Sequence, residues 1–355
     1  MSKKRILFLG ETYRADAITW MNGLKEFGDF EILTWELQNS SKGIHRILRL
    51  LELTKAFLII KNIAKKFNAD MVIAERTTSY GFLAALSGIK PMAIAQQGIT
   101  DLWPKYSLSY PIKKILQKYV FQKADLIHAW GNVIAEDIKK SGVEMTKVMT
   151  LPKGINLALF KFKDTSEDKL INAIVTRSLQ PEYKHDVILK AFAIFKQNNI
   201  PFKLTVIGDG IELSNLKSLA KELAIDTDVD FVGRIENNSI PKFLLNSNFY
   251  ISMPVTEGVS ASLFEAMMCG CFPIVSDLPG NREWISQKVN GILVPSENEF
   301  KLADELLWAY NNLALRKKAI SDNRKFVEEH ANYEKNMRKI AQKYHDLINV
   351  KSISQ

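Results

Sequence analysis

With 355 residues, 46% of them hydrophobic and 25% charged, the chain has a globular composition and length enough for two cores. Its two cysteines, Cys269 and Cys271, exclude a disulfide framework, and the lack of a nearby histidine or second cysteine pair argues against zinc. Of the net charge of +9, most sits early: residues 1–150 carry 22 Lys and Arg against 14 Asp and Glu, a field that attracts anionic lipid, nucleic acid or a phosphorylated substrate.

In chain order, MSKKRILFLGE imitates a signal peptide, but its apolar run stops at Glu11 and reads better as a buried first strand, 5–10. Further strands are expected at 71–75, 92–96, 126–130 and 148–151. A second series follows at 171–177, 203–208, 230–233, 249–253, 272–276 and 291–295, with helices such as 214–223 and 262–269 between strands. Alternating strands and helices predict parallel sheets covered on both faces. The polar stretch 159–169 is the expected linker, giving an N-terminal domain at 1–158 and a second at 159–332. After Pro295 the pattern is helical, and the last amphipathic segment, 333–355, either caps the second domain or crosses back to the first. Two basic segments, 41–67 and 110–123, read as helices packed on the first sheet. In the former, Ile44, Ile47, Leu48 and Leu51 share one face, with His45, Arg46 and Arg49 away from it. Their basic rims suit an anionic membrane surface. No run is long and apolar enough to span a bilayer. No nucleic-acid reading motif is present. Cysteine usage fits a reducing cytoplasm.

Several chemistries lack their motifs. The strand 203–208 leads into Gly208-Asp209-Gly210, but Leu213 stands where a dinucleotide fingerprint needs glycine. No P-loop or G-x-S-x-G occurs. The D-x-D spacings of 226–230 read as a polar turn, and His128 as a packed strand residue. The stretch TEGVSASLFEAMMCGCFPIVSDLPGNREWI, 256–285, is different: a small-residue loop runs into an apolar helix, with Glu257 before the helix and Glu265 in its expected first turn. Helix starts expose N–H groups and the positive dipole end, and small side chains let a phosphate approach. Taken alone, the two acids read equally well as a loop acid and a capping acid.

This block resembles the signature of the group 1, GT-B type, retaining nucleotide-sugar glycosyltransferases. Glu257, Gly258, Glu265, Ala266, Met267 and Gly270 fall in step with it, Pro273 and Ile274 one place late, and Asp277, Gly280 and Glu283 follow. The segment 174–192 resembles the family's V-G-R-L-x-x-x-K-G stretch, giving Arg177 and, at a longer spacing, Lys184. Residues 204–210, 229–235 and 151–156 also resemble family segments, so the likeness covers about half the chain, almost all in the second domain.

The resemblance implies a GT-B fold, two Rossmann-like domains facing across a cleft, and a retaining transfer from a nucleotide-diphosphate sugar to a glycan or lipid-linked acceptor, with no metal or other cofactor. Arg177 and Lys184 would neutralise the diphosphate, joined by N–H groups of Gly258, Val259, Ser260, Ala261, Ser262 and Leu263. Glu265 would accept hydrogen bonds from the ribose and Glu257 from the donor sugar. Gly208, Gly233, Arg234 and Ile235 would border the base, and Gly10, Gln97 and Gly98 the acceptor. The family often has His-Gly where this chain has Gln97-Gly98, and glycine where it has Thr176. A cytoplasmic enzyme at the inner membrane face, acting in surface polysaccharide or glycolipid synthesis, is the resulting expectation. A sugar-nucleotide epimerase of the same fold and a non-catalytic nucleotide-sugar-binding relative are the alternatives.

Overall fold

Runs such as Met-Val-Ile-Ala and Phe-Pro-Ile-Val are apolar on both faces, so they are stable only in strands covered by helices on each side. The computed structural model describes residues 3–38, 45–96, 110–164 and 170–353, and it places these runs in two parallel sheets. The chain divides into two compact units, residues 1–153 with 333–355, and residues 154–332.

In the first unit the elements are β1 (Arg5–Leu9), α1 (Ala15–Gly28), β2 (Glu31–Trp35), α2 (His45–Phe67), β3 (Met71–Glu75), α3 (Phe82–Ser87), β4 (Met92–Gln96), α4 (Tyr110–Lys123), β5 (Leu126–Ala129), α5 (Asn132–Lys140) and β6 (Val148–Thr150). They form a six-stranded sheet in the order β2-β1-β3-β4-β5-β6. The second unit runs β7 (Ile171–Thr176), α6 (His185–Lys196), β8 (Phe202–Ile207), α7 (Leu213–Glu222), β9 (Val229–Gly233), α8 (Ile240–Leu244), β10 (Phe249–Ser252), α9 (Ala261–Cys269), β11 (Phe272–Ser276), α10 (Pro279–Arg282), β12 (Ile292–Val294), α11 (Glu299–Asn311) and α12 (Leu313–His330). Its sheet order is β12-β11-β10-β7-β8-β9. In each sheet the winding reverses once, between β1 and β3 and between β7 and β10, and open sheets of this kind bind ligands at the carboxyl ends of such strands.

The strand β2 is absent from the sequence reading. It is an edge strand with Glu31, Leu33 and Thr34 exposed, so it lacks the buried apolar run that marks its neighbours. The expected linker also differs. Phe160 is buried in the second unit's core and Phe162 packs against it, so the chain passes between units at Lys153–Gly154 and Asn332–Tyr333 instead. Phe160 anchors this polar-looking stretch, its burial worth about 1.5–3 kcal/mol, and Phe162 is partly covered. The final helix α13 (Tyr333–Ile353) belongs to the first unit. There the Tyr333 hydroxyl donates to the Thr19 carbonyl at 2.6 Å, and His345 stacks on Phe30 with ring centroids 4.3 Å apart.

On α2 the buried positions are Ala56, Ile60 and Ala64, one helical turn apart, while Leu51, Leu58 and Ile59 are exposed. Leu51 therefore does not lie on the packed face expected for it. The side chains of residues 44–49 lie outside the described residues. The strand histidine, His128, is fully buried, its Nε2 is 2.8 Å from the Leu151 carbonyl oxygen, and burial pushes its pKa down to about 4.

Candidate donor site of the second unit

The winding reversal of the second sheet places the end of β7 beside the end of β10. Arg177 is the first residue past β7, and the loop 253–260 leaves β10 for α9. The Arg177 guanidinium lies at the meeting of these segments. It forms an ion pair with the Glu257 carboxylate. It also donates to the Ser260 hydroxyl at 2.6 Å and, through Nε, to Ser252 Oγ at 3.4 Å. The Tyr183 ring covers it, 5.5 Å from centroid to guanidinium carbon. Burial works against its charge, but Tyr250 and Glu257 outweigh that and raise its pKa. Arg177 and Glu257 are only 16% and 13% exposed, so the pair is largely desolvated and removing either partner leaves a buried, unpaired charge.

The helix α9 begins at Ala261, one residue before its expected start, because Ser260 takes the N-cap position. The Ser260 hydroxyl accepts from the Leu263 N–H at 3.3 Å, which satisfies one of the first helical donors. The Leu263 N–H is thus spent inside the protein, and Ala261 and Ser262 carry the donors that no earlier turn can satisfy. Gly258 is buried and Val259 packs on the unit's core. Glu265 is the fifth residue of the helix, past the first turn, so it is no capping acid. It is half-buried, and burial pushes its carboxyl up to about 7 against the opposing pull of Arg177. Among the described residues its carboxyl makes no hydrogen bond, and a half-buried acid with so shifted a pKa at a strand-to-helix junction is a candidate functional group.

The D-x-x-G segment supports the loop from behind. A Cβ at Gly280 would stand 2.3 Å from the Gly258 carbonyl oxygen and 2.5 Å from that of Glu257, so only glycine permits the approach. Asp277 pairs with Arg282 at 2.6 Å, which holds α10 in place. At the far side of β8, the Gly208 N–H donates to the Gly233 carbonyl at 3.0 Å, bringing these two predicted residues together at neighbouring strand ends. Arg234 is exposed beyond them, and Ile235 packs on the core.

Lys184 does not join the group around Arg177. Its ammonium pairs with Glu297, whose side chain is 67% exposed. The reason lies in the segment Gln180-Pro181-Glu182-Tyr183, which forms a short 3-10 turn and leaves Lys184 in the left-handed region at φ 50°. The longer spacing noted in the sequence thus brings Tyr183, not the lysine, against Arg177. Tyr183 and Ser252 are the residues sequence reading missed; the extra spacing was the available signal for the first, and none existed for the second. In the first unit, Gly10 is buried at the end of β1, while Gln97 and Gly98 lie outside the described residues. Among the described residues no group of three or more His, Cys, Asp and Glu is placed to hold a metal ion. Cys269 and Cys271 are both buried, and the latter donates to the Leu244 and Ser247 carbonyls.

Residues 158–326 match the family model of the glycosyl transferases, group 1. The match covers nearly all of the second unit, which thus resembles the group 1 glycosyltransferases. The match spans β7 to α12 and so includes the Arg177–Glu257 pair, α9 and Glu265. A relative in Campylobacter jejuni, N-acetylgalactosamine-N,N'-diacetylbacillosaminyl-diphospho-undecaprenol 4-alpha-N-acetylgalactosaminyltransferase, is 26% identical over 318 residues, covering 84% of this chain and 85% of its own. Among solved structures, HepE of Anabaena in complex with UDP and glucose has a TM-score of 0.77 at 15% identity, covering 97% of this chain and all of its own. Sucrose-phosphate synthase of Thermosynechococcus elongatus has a TM-score of 0.78, also at 15% identity, over 98% of this chain. This glycosyltransferase has the GT-B fold, with a parallel α/β sheet in each of its two units.

Proposed function

We propose that this glycosyltransferase moves a hexosyl or N-acetylhexosaminyl group from a nucleoside-diphosphate sugar to a glycan or lipid-linked acceptor, with retention of anomeric configuration and without a metal. The observation that carries the reading is the convergence of Arg177, Glu257 and Ser260 at the first turn of α9. A diphosphate docked there meets a desolvated guanidinium and two helix N–H groups, which stabilise the charge that grows as the glycosidic bond breaks. Glu257 exchanges its ion pair for hydroxyls of the donor sugar, and Glu265 accepts from the ribose. Lys184 reaches the diphosphate only after leaving Glu297. With the leaving phosphate on the face from which the acceptor attacks, that phosphate takes the acceptor's proton, and configuration is retained. The lipid-linked acceptor draws support from the diphospho-undecaprenol substrate in the name of the Campylobacter relative, and a uridine nucleotide from the UDP bound to HepE.

Purified protein incubated with uridine, guanosine and adenosine diphosphate sugars and a lipid-linked saccharide should yield one lengthened product whose new linkage keeps the donor's anomeric configuration by NMR. An inverted linkage would overturn the retaining mechanism, and isomerised donor without acceptor would favour the epimerase reading.

The same enzyme is placed at the inner face of the membrane in this reading. The exposed Leu51, Leu58 and Ile59 of α2 share that helix with Lys55 and Lys61, and α4 exposes Ile112 and Ile115 beside Lys114. Exposed apolar and basic residues on one helix suit an anionic bilayer surface. No helix among the described residues is long and apolar enough to cross a membrane. Co-sedimentation with anionic but not neutral vesicles is expected, and equal recovery from both would count against the placement.

A further inference from the structure

The turn between β7 and α6 is longer than the family stretch it resembles, and the added length changes what meets Arg177. Pro181 sets the backbone for the 3-10 turn over Pro181–Tyr183, in which the Tyr183 N–H donates to the Gln180 carbonyl at 3.0 Å. Lys184 then takes its left-handed conformation, φ 50°, which an L residue keeps only where its surroundings impose it. The surroundings here are firm. His185 is buried at the start of α6, with its Nε2 3.0 Å from the Ser178 carbonyl oxygen. The Glu182 carbonyl accepts the Val255 N–H at 2.9 Å, and Lys184 pairs with Glu297. Next to Glu297, the Ser296 hydroxyl donates to the Pro254 carbonyl at 2.9 Å. Segments 182–184, 254–255 and 296–297 thus fasten one another, and the middle one leads into the loop that carries Glu257.

This frame places one side chain. Tyr183 is half-buried, and its ring lies over Arg177 within the range of a cation–π contact, 5.5 Å from centroid to guanidinium carbon. The edge of the guanidinium is held by Ser252, Ser260 and Glu257. A guanidinium donates only in its own plane, so whatever fixes that plane fixes where a phosphate oxygen can be met. Hydrogen bonds along the edge still let the group rock, whereas a ring on its face removes that freedom and keeps water off the charge. Binding then costs less ordering of the arginine.

In the family stretch a lysine would supply a second cation. Here the lysine is committed to Glu297, and the turn delivers an aromatic ring in its place. We infer that Tyr183 is a positioning residue of the donor site: its ring holds the plane of the Arg177 guanidinium at the start of α9 and so sets the affinity for a diphosphate. The inference rests on the transferase reading. The face of the ring carries the effect, and the hydroxyl is dispensable.

The test compares Tyr183→Phe and Tyr183→Leu with wild type in the full chain. Uridine, guanosine and adenosine diphosphates are titrated by calorimetry. Tyr183→Phe should bind the preferred diphosphate within about twofold of wild type, and Tyr183→Leu roughly tenfold more weakly, the size of a desolvated cation–π contact. The parent nucleoside should bind all three proteins alike. In an Arg177→Ala background, Tyr183→Leu should cause no further loss, an outcome that a purely structural role would not produce. An equal loss in Tyr183→Phe, undiminished binding by Tyr183→Leu, or the same tenfold loss in the Arg177→Ala background would each overturn the inference. A second measurement needs no ligand. The NMR signal of the Arg177 Nε–H, assigned by its absence from Arg177→Ala, should exchange slowly with water in wild type and Tyr183→Phe and roughly tenfold faster in Tyr183→Leu. If Tyr183→Leu does not fold, Tyr183→Met replaces it in both measurements. Unchanged exchange would overturn the inference with the transferase reading intact, whereas binding of no diphosphate by wild type would defeat that reading and leave the exchange result standing.

Discussion

The two sheets keep comparable equipment in the same place and conceal it differently from a reader of the sequence. Each carries a carboxyl group pushed up to about 7 by burial, Glu265 in one and Glu75 in the other, near the strands where its winding reverses. The surroundings differ. Glu265 lies under the influence of a cation, Arg177, while Glu75 has another carboxylate, Asp16, as its next strongest influence after burial. A neighbouring cation favours the ionised form of Glu265, and a neighbouring carboxylate disfavours that of Glu75.

The largest expected effect lies in the second unit. Arg177→Met removes the cation and leaves Glu257 largely buried and unpaired, which should cost about 3–5 kcal/mol of unfolding free energy, as for other broken buried pairs. Transfer should fall by roughly a hundredfold or more with the loss of charge stabilisation. Urea unfolding of Arg177→Met and of the double variant Arg177→Met, Glu257→Gln tests this, since the double variant should regain most of the stability. A loss below about 1 kcal/mol in the single variant would mean that the pair behaves as a surface contact.

In the first unit, Glu75 sets a pH dependence. Its folded-state pKa lies above the unfolded value of 4.5, so between about 4.5 and about 7 the native state holds more protons than the unfolded chain. Stability from this group therefore falls as pH rises through that window. Glu75→Gln, which still accepts the Glu11 N–H, should be relatively more stable than wild type by about 1–3 kcal/mol at pH 8 and should lose that advantage at pH 4.5. Unfolding free energies that differ by the same amount at both pH values would contradict the assignment.

The smallest effect concerns Lys184. Its pair with the exposed Glu297 is a surface contact, and Lys184→Ala should change stability by less than about 0.5 kcal/mol in thermal unfolding. Its loss of transfer should be well below that of Arg177→Ala. An equal loss would show that the ammonium swings to the donor during turnover.

Most of the architecture was open to sequence reading, because buried parallel strands are short apolar runs. Three of them, Met71–Glu75, Met92–Gln96 and Phe272–Ser276, have the expected limits. The edge strand β2 was not legible, since half-exposed strands lose that mark. Most of the candidate donor site was legible because those parts are contiguous: loop, cap and helix follow one another from Glu257 to Glu265. The position of Lys184 was not, because two additional residues change which side chain turns inward. The charged surroundings of Glu75 in the first unit draw on residues 11, 14, 16, 76 and 153, and only folding brings such distant positions together.

The most direct measurement of the central claim is calorimetric titration of uridine, guanosine and adenosine diphosphates into wild-type protein and Arg177→Ala. One of the diphosphates should bind wild type, and its affinity should fall by roughly a hundredfold in the variant, while the parent nucleoside binds both proteins equally. Absence of binding by all three, or equal affinity of a diphosphate for the two proteins, would contradict a diphosphate site at the start of α9.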